Sequence, residues 1–110
     1  MNQVIRATVI GTAAQIVMVV AGHFVPAVAE LFAIGGMGIS ALAGWAAMKG
    51  QTASLAAAAG NGAIAGGVSA ALGIAVSVAL GDVPTSLLAV GTAGSTVTGL
   101  IGGVIGRRRG

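Results

Sequence analysis

Residues 55–80 read LAAAAGNGAIAGGVSAALGIAVSVAL, an apolar stretch without a charged side chain. A helix that crosses a bilayer needs about 20 mostly apolar residues, because the hydrocarbon core is about 30 Å thick and each residue advances the helix by about 1.5 Å. Alanine, the commonest residue here, is also the strongest helix former. The stretch therefore predicts a membrane-spanning helix.

The composition of the whole chain supports the same interpretation. Of its 110 residues, 56% are hydrophobic and only 6% are charged, and the mean hydropathy is +1.04. A soluble domain carries about 25% charged residues because its surface faces water. The sequence therefore predicts an integral membrane protein, and its length limits it to one domain.

Three other stretches are long and apolar enough to span. We predict an all-α membrane protein in which residues 1–110 form a single domain of four Gly/Ala-rich helices, at about 4–22, 27–48, 55–80 and 85–105. The connections between them contain proline, glycine or polar residues, which favour turns.

The charged residues divide into two groups along the chain. The positive residues lie at the start (Arg6), in the middle loop (Lys49) and at the end (Arg107 to Arg109), whereas Glu30 and Asp82 lie at the two other connections. Positive residues near short loops stay on the cytoplasmic side, so both termini and the middle loop are expected there. We expect Lys49, Arg107, Arg108 and Arg109 to contact anionic lipid headgroups.

A weak internal repeat indicates two duplicated helical hairpins. A shift of 58 residues places Val25-Pro26 on Val83-Pro84 and Lys49 on Arg107. Duplicated hairpins of this kind pack around a pseudo-two-fold axis along the membrane normal.

Small residues recur at every fourth position in three of the predicted helices. Residues four apart lie on one face of a helix, and small side chains on that face allow close helix approach in lipid. These predicted helix-packing residues are Gly36, Ser40 and Gly44, then Ala65, Ser69, Gly73 and Ser77, then Gly91, Ser95, Gly99 and Gly103. The stripes fit packing within one chain or packing between protomers of a homo-oligomer.

The sequence offers no catalytic constellation. It has no cysteine and a single histidine, His23, which is too little for a nucleophile–base pair or a metal site. We therefore expect a non-enzymatic protein without metal or cofactor. The pI near 11.5 rests on a net charge of +3 and does not predict sequence-specific nucleic-acid binding.

Glu30 is the candidate ion or proton site, because an acidic residue inside a span is costly and by default marks function. It also lies early enough in its helix to interact with the positive end of the helix dipole.

The N-terminal segment also has features of a signal peptide. Arg6 precedes an apolar stretch to Gly22, and Ala27-Val28-Ala29 then resembles a cleavage site. Cleavage there would leave three spans, whereas an uncleaved first helix leaves four, and we expect the first helix to be retained.

Two families share features with the chain. Met37 to Met48, the Lys49 loop and Leu55 to Leu80 resemble major pilins of type IV secretion and conjugation systems, although the other helices depart from that pattern. The resemblance implies a helical filament with bound lipid, extracted from the membrane. In length and helix number the chain also resembles small multidrug-resistance transporters. That family has an essential glutamate in its first helix, and Val4 to Gly22 contains no acidic residue.

We therefore expect a non-enzymatic, self-associating subunit of the cytoplasmic membrane, with a conjugation-type pilin as the most specific version. Its partners would be copies of itself, membrane lipids and a larger secretion or membrane complex, and assembly would give an extracellular filament. The first alternative is a small four-helix transporter or channel that uses Glu30. The second is a phage holin, suggested by the small size and the basic C-terminal residues.

Overall fold

The computed structural model describes residues 2–29 and 31–108, and within them the chain forms five helices. They are α1 (Gln3–Phe24), α2 (Pro26–Ala29), α3 (Phe32–Met48), α4 (Leu55–Ala79) and α5 (Ser86–Gly106). The chain is therefore all-helical over the described ranges. Of these helices, α1, α4 and α5 are long and apolar enough to cross a membrane.

The helix ends have identifiable local causes. The Asn2 side chain accepts a hydrogen bond from the Ile5 N–H at 2.9 Å and begins α1. Ser54 accepts one from the Ala57 N–H at 3.2 Å and begins α4. Such caps satisfy amide groups that have no partner within the helix. Gly50 and Gly81 have φ of 74° and 77°, which only glycine adopts readily, and each lies in a turn between helices.

The second predicted helix differs from the structure. We predicted one helix over residues 27–48, but α2 ends at Ala29 and α3 begins at Phe32. Between them Leu31 has φ −97° and ψ 5°, outside helical values, and its N–H donates to the Val28 carbonyl in a tight turn. This break leaves α3 with 17 residues, fewer than the other long helices.

The long helices form an elongated bundle of 44 × 22 × 21 Å. Helices α3 and α4 contact each other, and each also contacts both α1 and α5. The α3–α4 pair therefore lies at the centre, with α1 and α5 on its two sides.

The interior contains small residues and the exterior contains large ones. Ser40 and Ser69 are the largest side chains that are completely buried in the described part of the chain. By contrast, Val17, Ile34 and Ile105 are 68%, 77% and 71% exposed. This is the reverse of a water-soluble protein, in which large aliphatic side chains fill the core.

Candidate functional site

Helices α4 and α5 are in close contact through glycines. A Cβ atom built on Gly99 would lie 2.5 Å from the Gly62 carbonyl oxygen and 2.8 Å from the Gly66 Cα. One built on Gly103 would lie 2.5 Å from the Ala58 carbonyl oxygen. The two backbones are therefore in direct contact, which is the role of small residues in helix pairs within lipid.

Helix α3 joins this contact from the other side. Gly44 faces the Gly99 backbone, and a Cβ on Gly66 would lie 2.9 Å from the Ser40 carbonyl oxygen. Gly102 likewise faces the Ala41 carbonyl. Three helix backbones therefore meet around Gly99 without intervening large side chains.

Helix α1 packs on the centre through a similar surface. A Cβ on Gly11 would lie 2.9 Å from the Ala43 Cβ and 3.2 Å from the Ser69 Cβ. Gly73 of α4 accommodates the side chain of Gln15, whose Cβ lies 2.6 Å from the position of an added Cβ.

The residues predicted for helix packing all lie between helices of this one chain. The buried ones are Ser40, Gly44, Ala65, Ser69, Gly73, Ser77, Ser95, Gly99 and Gly103, and the half-buried ones are Gly36 and Gly91. Gly38 and Gly60 are different, because they are exposed and a Cβ on either would meet no described atom within 4 Å.

Gln15 is a buried polar residue whose packing role the sequence analysis did not predict. Its side chain is 3% exposed, and its Nε2 donates to the Gly36 carbonyl at 3.0 Å and to Ser40 Oγ at 3.1 Å. It therefore links α1 to α3 inside the bundle. A signal was available, because Ala7, Gly11, Gln15 and Val19 recur at every fourth position and form the buried face of α1.

One end of the bundle brings together the chain segments that carry the positive residues. Gln3 Nε2 donates to the Ala46 and Lys49 carbonyls, both at 2.8 Å, and Gln51 Nε2 donates to Gln3 Oε1 at 2.6 Å. The Arg108 N–H donates to the Gln51 carbonyl at 2.8 Å. The start of α1, the middle loop and the end of α5 thus meet, and we call this surface the basic end.

Two predicted headgroup residues make specific contacts at the basic end. Lys49 Nζ lies 4.8 Å from the ring centroid of Trp45, a cation–π contact. The Arg107 guanidinium donates to the Ala53 carbonyl at 3.1 Å. Arg108 is exposed there, and Arg109 lies outside the described residues.

The opposite end joins two polar residues that the sequence interpretation did not connect. His23 Nδ1 lies 2.9 Å from Asp82 Oδ2, with 33% and 27% of the two side chains exposed. This contact ties the end of α1 to the turn between α4 and α5. Glu30, the candidate ion or proton site, lies outside the described residues, and the described ranges contain no cluster of His, Cys, Asp or Glu residues able to hold a metal ion.

A shallow groove runs along the outer surface between α4 and α5. It is lined mainly by alanines and threonines: Ala71, Leu72, Ala75, Thr85, Leu88, Ala89, Thr92 and Ala93. We call it the alanine groove. Its floor is lower than the surrounding aliphatic surface because alanine ends at Cβ.

Comparison of the chain with models of protein families, with curated proteins and with solved structures gives no match.

Proposed function

We propose that this chain is a non-enzymatic integral membrane subunit that associates with copies of itself. The observation that carries the proposal is the reversed distribution of side chains, with glycine, alanine and serine inside and large aliphatic residues outside. Water penalises such an exterior at about 25 cal/mol per Å² of apolar surface. A hydrocarbon environment removes that penalty and leaves close backbone packing to hold the helices together.

The charges of the proposed membrane protein define its orientation. Arg6, Lys49, Arg107 and Arg108 belong to the segments that meet at the basic end, whereas Asp82 lies at the other end. Basic residues next to spans remain in the cytoplasm and attract anionic headgroups. The basic end therefore faces the cytoplasm.

Thiol labelling tests this orientation, since the natural chain contains no cysteine. Thr52 and Thr85 are exposed at opposite ends of the bundle. In intact cells, a membrane-impermeant maleimide should label the Thr85→Cys variant at once, and the Thr52→Cys variant only after permeabilisation. The reverse pattern would contradict the orientation, and labelling of both variants in intact cells would contradict a single orientation.

Self-association is proposed through the alanine groove. The small-residue stripes are already used for packing within the chain, so they no longer argue for contacts between protomers. The alanine groove offers a second small-residue surface on the outside, where a helix of another copy approaches without displacing a large side chain.

A matched pair of substitutions tests the alanine groove. Ala75→Leu fills the groove and should lower the association constant of the protein in bilayers by about tenfold, which corresponds to about 1.4 kcal/mol. Ala13→Leu adds the same volume to the exposed face of α1 and should leave association unchanged. Energy transfer between labelled copies at increasing protein-to-lipid ratio measures both. A wild-type chain that stays monomeric at every ratio would contradict self-association.

The conjugation-type pilin is the more specific form of this proposal, with a lipid-containing helical filament as the assembled state. Electron microscopy of the native assembly distinguishes that filament from a ring or a dimer. The transporter alternative depends on Glu30, outside the described residues, and loss of ion-coupled uptake in Glu30→Gln vesicles would test it. The holin alternative predicts host lysis on expression.

A further inference from the structure

A cavity of about 270 Å³, partly open to the surface, lies between the helices on the side of the His23–Asp82 contact. All four long helices contribute to its wall. Its apolar lining includes Met18, Met37, Ile74 and Leu87. The cavity shares no lining residue with the alanine groove, so the two are separate. All of its wall comes from one chain, so it does not depend on self-association.

Three polar side chains also line the cavity. Gln15, Ser77 and Ser95 are 3%, 2% and 4% exposed. The amide nitrogen of Gln15 already donates to α3. Ser77 Oγ has no hydrogen-bond partner among the described residues, and rotation about its Cα–Cβ bond is needed to turn it toward the cavity, because the atom is itself buried. A buried hydroxyl without a partner is unusual, since buried polar groups are nearly always paired.

We propose that this cavity binds a small apolar molecule that carries one hydroxyl or carbonyl group, with that group hydrogen-bonded to Ser77 Oγ. The apolar wall accommodates the body of the ligand, and the serine fixes its orientation. Ligand pockets combine a mostly apolar wall with a few placed polar groups in this way.

The volume defines the size of the ligand. An apolar cavity of about 150 Å³ accepts a single benzene ring, and pockets for drug-sized molecules begin at about 300 Å³. A cavity of about 270 Å³ therefore suits a molecule of about two fused rings. It is too small for a whole phospholipid, so we propose a free small molecule dissolved in the membrane as the occupant.

The two methionines allow the wall to adapt to different ligands. Methionine is unbranched and polarizable, and it fills irregular spaces around apolar molecules. Met18 Sδ and the Met37 methyl group lie beside Gly35 and Gly94 respectively, where an added Cβ would come within 2.9 Å and 2.8 Å of them. These glycines leave room for the methionine side chains next to the cavity.

The methionine methyl groups also allow ligand binding to be measured. We would label the methionine methyl groups with ¹³C, place the full chain in phosphatidylcholine nanodiscs, and titrate with 1-naphthol. The methyl resonances of Met18 and Met37 should shift and saturate. That of Met48, which is buried at the basic end and does not line the cavity, should stay in place.

Two ligands and three variants isolate the serine contact. Ser77→Ala should weaken binding of 1-naphthol about fivefold to tenfold, the value of one hydrogen bond, and should leave binding of naphthalene, which lacks the hydroxyl, unchanged. Thr8→Val removes a hydroxyl that bonds within α1 at the other end and should change neither. Gly36→Val should weaken binding of both, since an added Cβ fits at 3.5 Å from Gln15 and its methyl groups occupy part of the cavity.

Three results would overturn the proposal. The first is that the Met18 and Met37 resonances show no saturable shift, while the Met48 resonance shows that the fold is unchanged. The second is an equal loss of affinity for 1-naphthol and naphthalene in Ser77→Ala. The third is magnetisation transfer from lipid chains to the half-buried Met18 methyl group that 1-naphthol does not displace, which would identify lipid as the occupant.

Discussion

Replacing Gly62 by alanine is expected to lower the free energy of unfolding by about 3 kcal/mol or more, although it adds one methyl group. Overpacking a filled interior costs about 1–3 kcal/mol when side chains can move aside. Here the obstacles are backbone atoms, because the new Cβ would lie 2.8 Å from the Gly103 Cα and would meet the Gly99 carbonyl. Relief requires α4 and α5 to separate, which also weakens the contact at Gly66.

Gly60→Ala is the matched control for Gly62→Ala. Gly60 lies two residues earlier on the exposed face of α4, where an added Cβ meets no described atom within 4 Å. Both substitutions change helix propensity equally, so the difference between them isolates the contact with α5. Titration of the protein from mild detergent into dodecyl sulfate, followed by circular dichroism and Trp45 fluorescence, gives both unfolding free energies. Equal values would show that the α4–α5 backbone contact does not determine stability.

The second large effect is expected for Gln15→Ala, at about 2–4 kcal/mol of unfolding free energy. The substitution removes a buried side chain and leaves a void, and large-to-small changes in packed interiors cost about 2–5 kcal/mol. It also removes the donor to the Gly36 carbonyl and Ser40 Oγ. Hydrogen bonds between membrane helices contribute about 0.6 kcal/mol each, so most of the loss comes from packing.

Gln3→Ala is the control for Gln15→Ala, because Gln3 also links α1 to α3 with two hydrogen bonds from its amide nitrogen. Gln3 is only half-buried at the basic end, where water replaces the lost partners, and we expect less than about 1 kcal/mol. The same dodecyl sulfate titration measures it. A loss for Gln3→Ala equal to that for Gln15→Ala would contradict the importance of burial.

The long helices could be predicted from the sequence because the length of an apolar stretch is a local property. The predicted ranges 55–80 and 85–105 differ from α4 and α5 by one residue at each end at most. The break between α2 and α3 could not be predicted. It depends on the dihedral angles of Leu31, and an apolar residue at that position carries no signal for a turn.

The contacts between the helices were harder to predict from the sequence than the helices themselves. Spacing by four identified the small-residue faces, but it did not say which faces would meet, since any two such faces are compatible. The contact between His23 and Asp82 joins residues that are 59 positions apart. The predicted repeat and orientation place both connections at one end, but they do not predict contact between these two side chains. The role of Gln15 was not predicted, because one glutamine within the apolar stretch Val4 to Gly22 does not show which neighbouring helix it contacts.

The glycine contact around Gly99 has a consequence for biogenesis. In this sequence α5 leaves the ribosome after α1, α3 and α4, so the glycine faces of α3 and α4 enter the proposed membrane before their partner exists. During that interval a small-residue helix of any neighbouring nascent chain competes for the same surface. Synthesis of α5 therefore competes kinetically with mispairing of α3 and α4. Slow synthesis near Gly99 would lower the yield of correctly assembled protein.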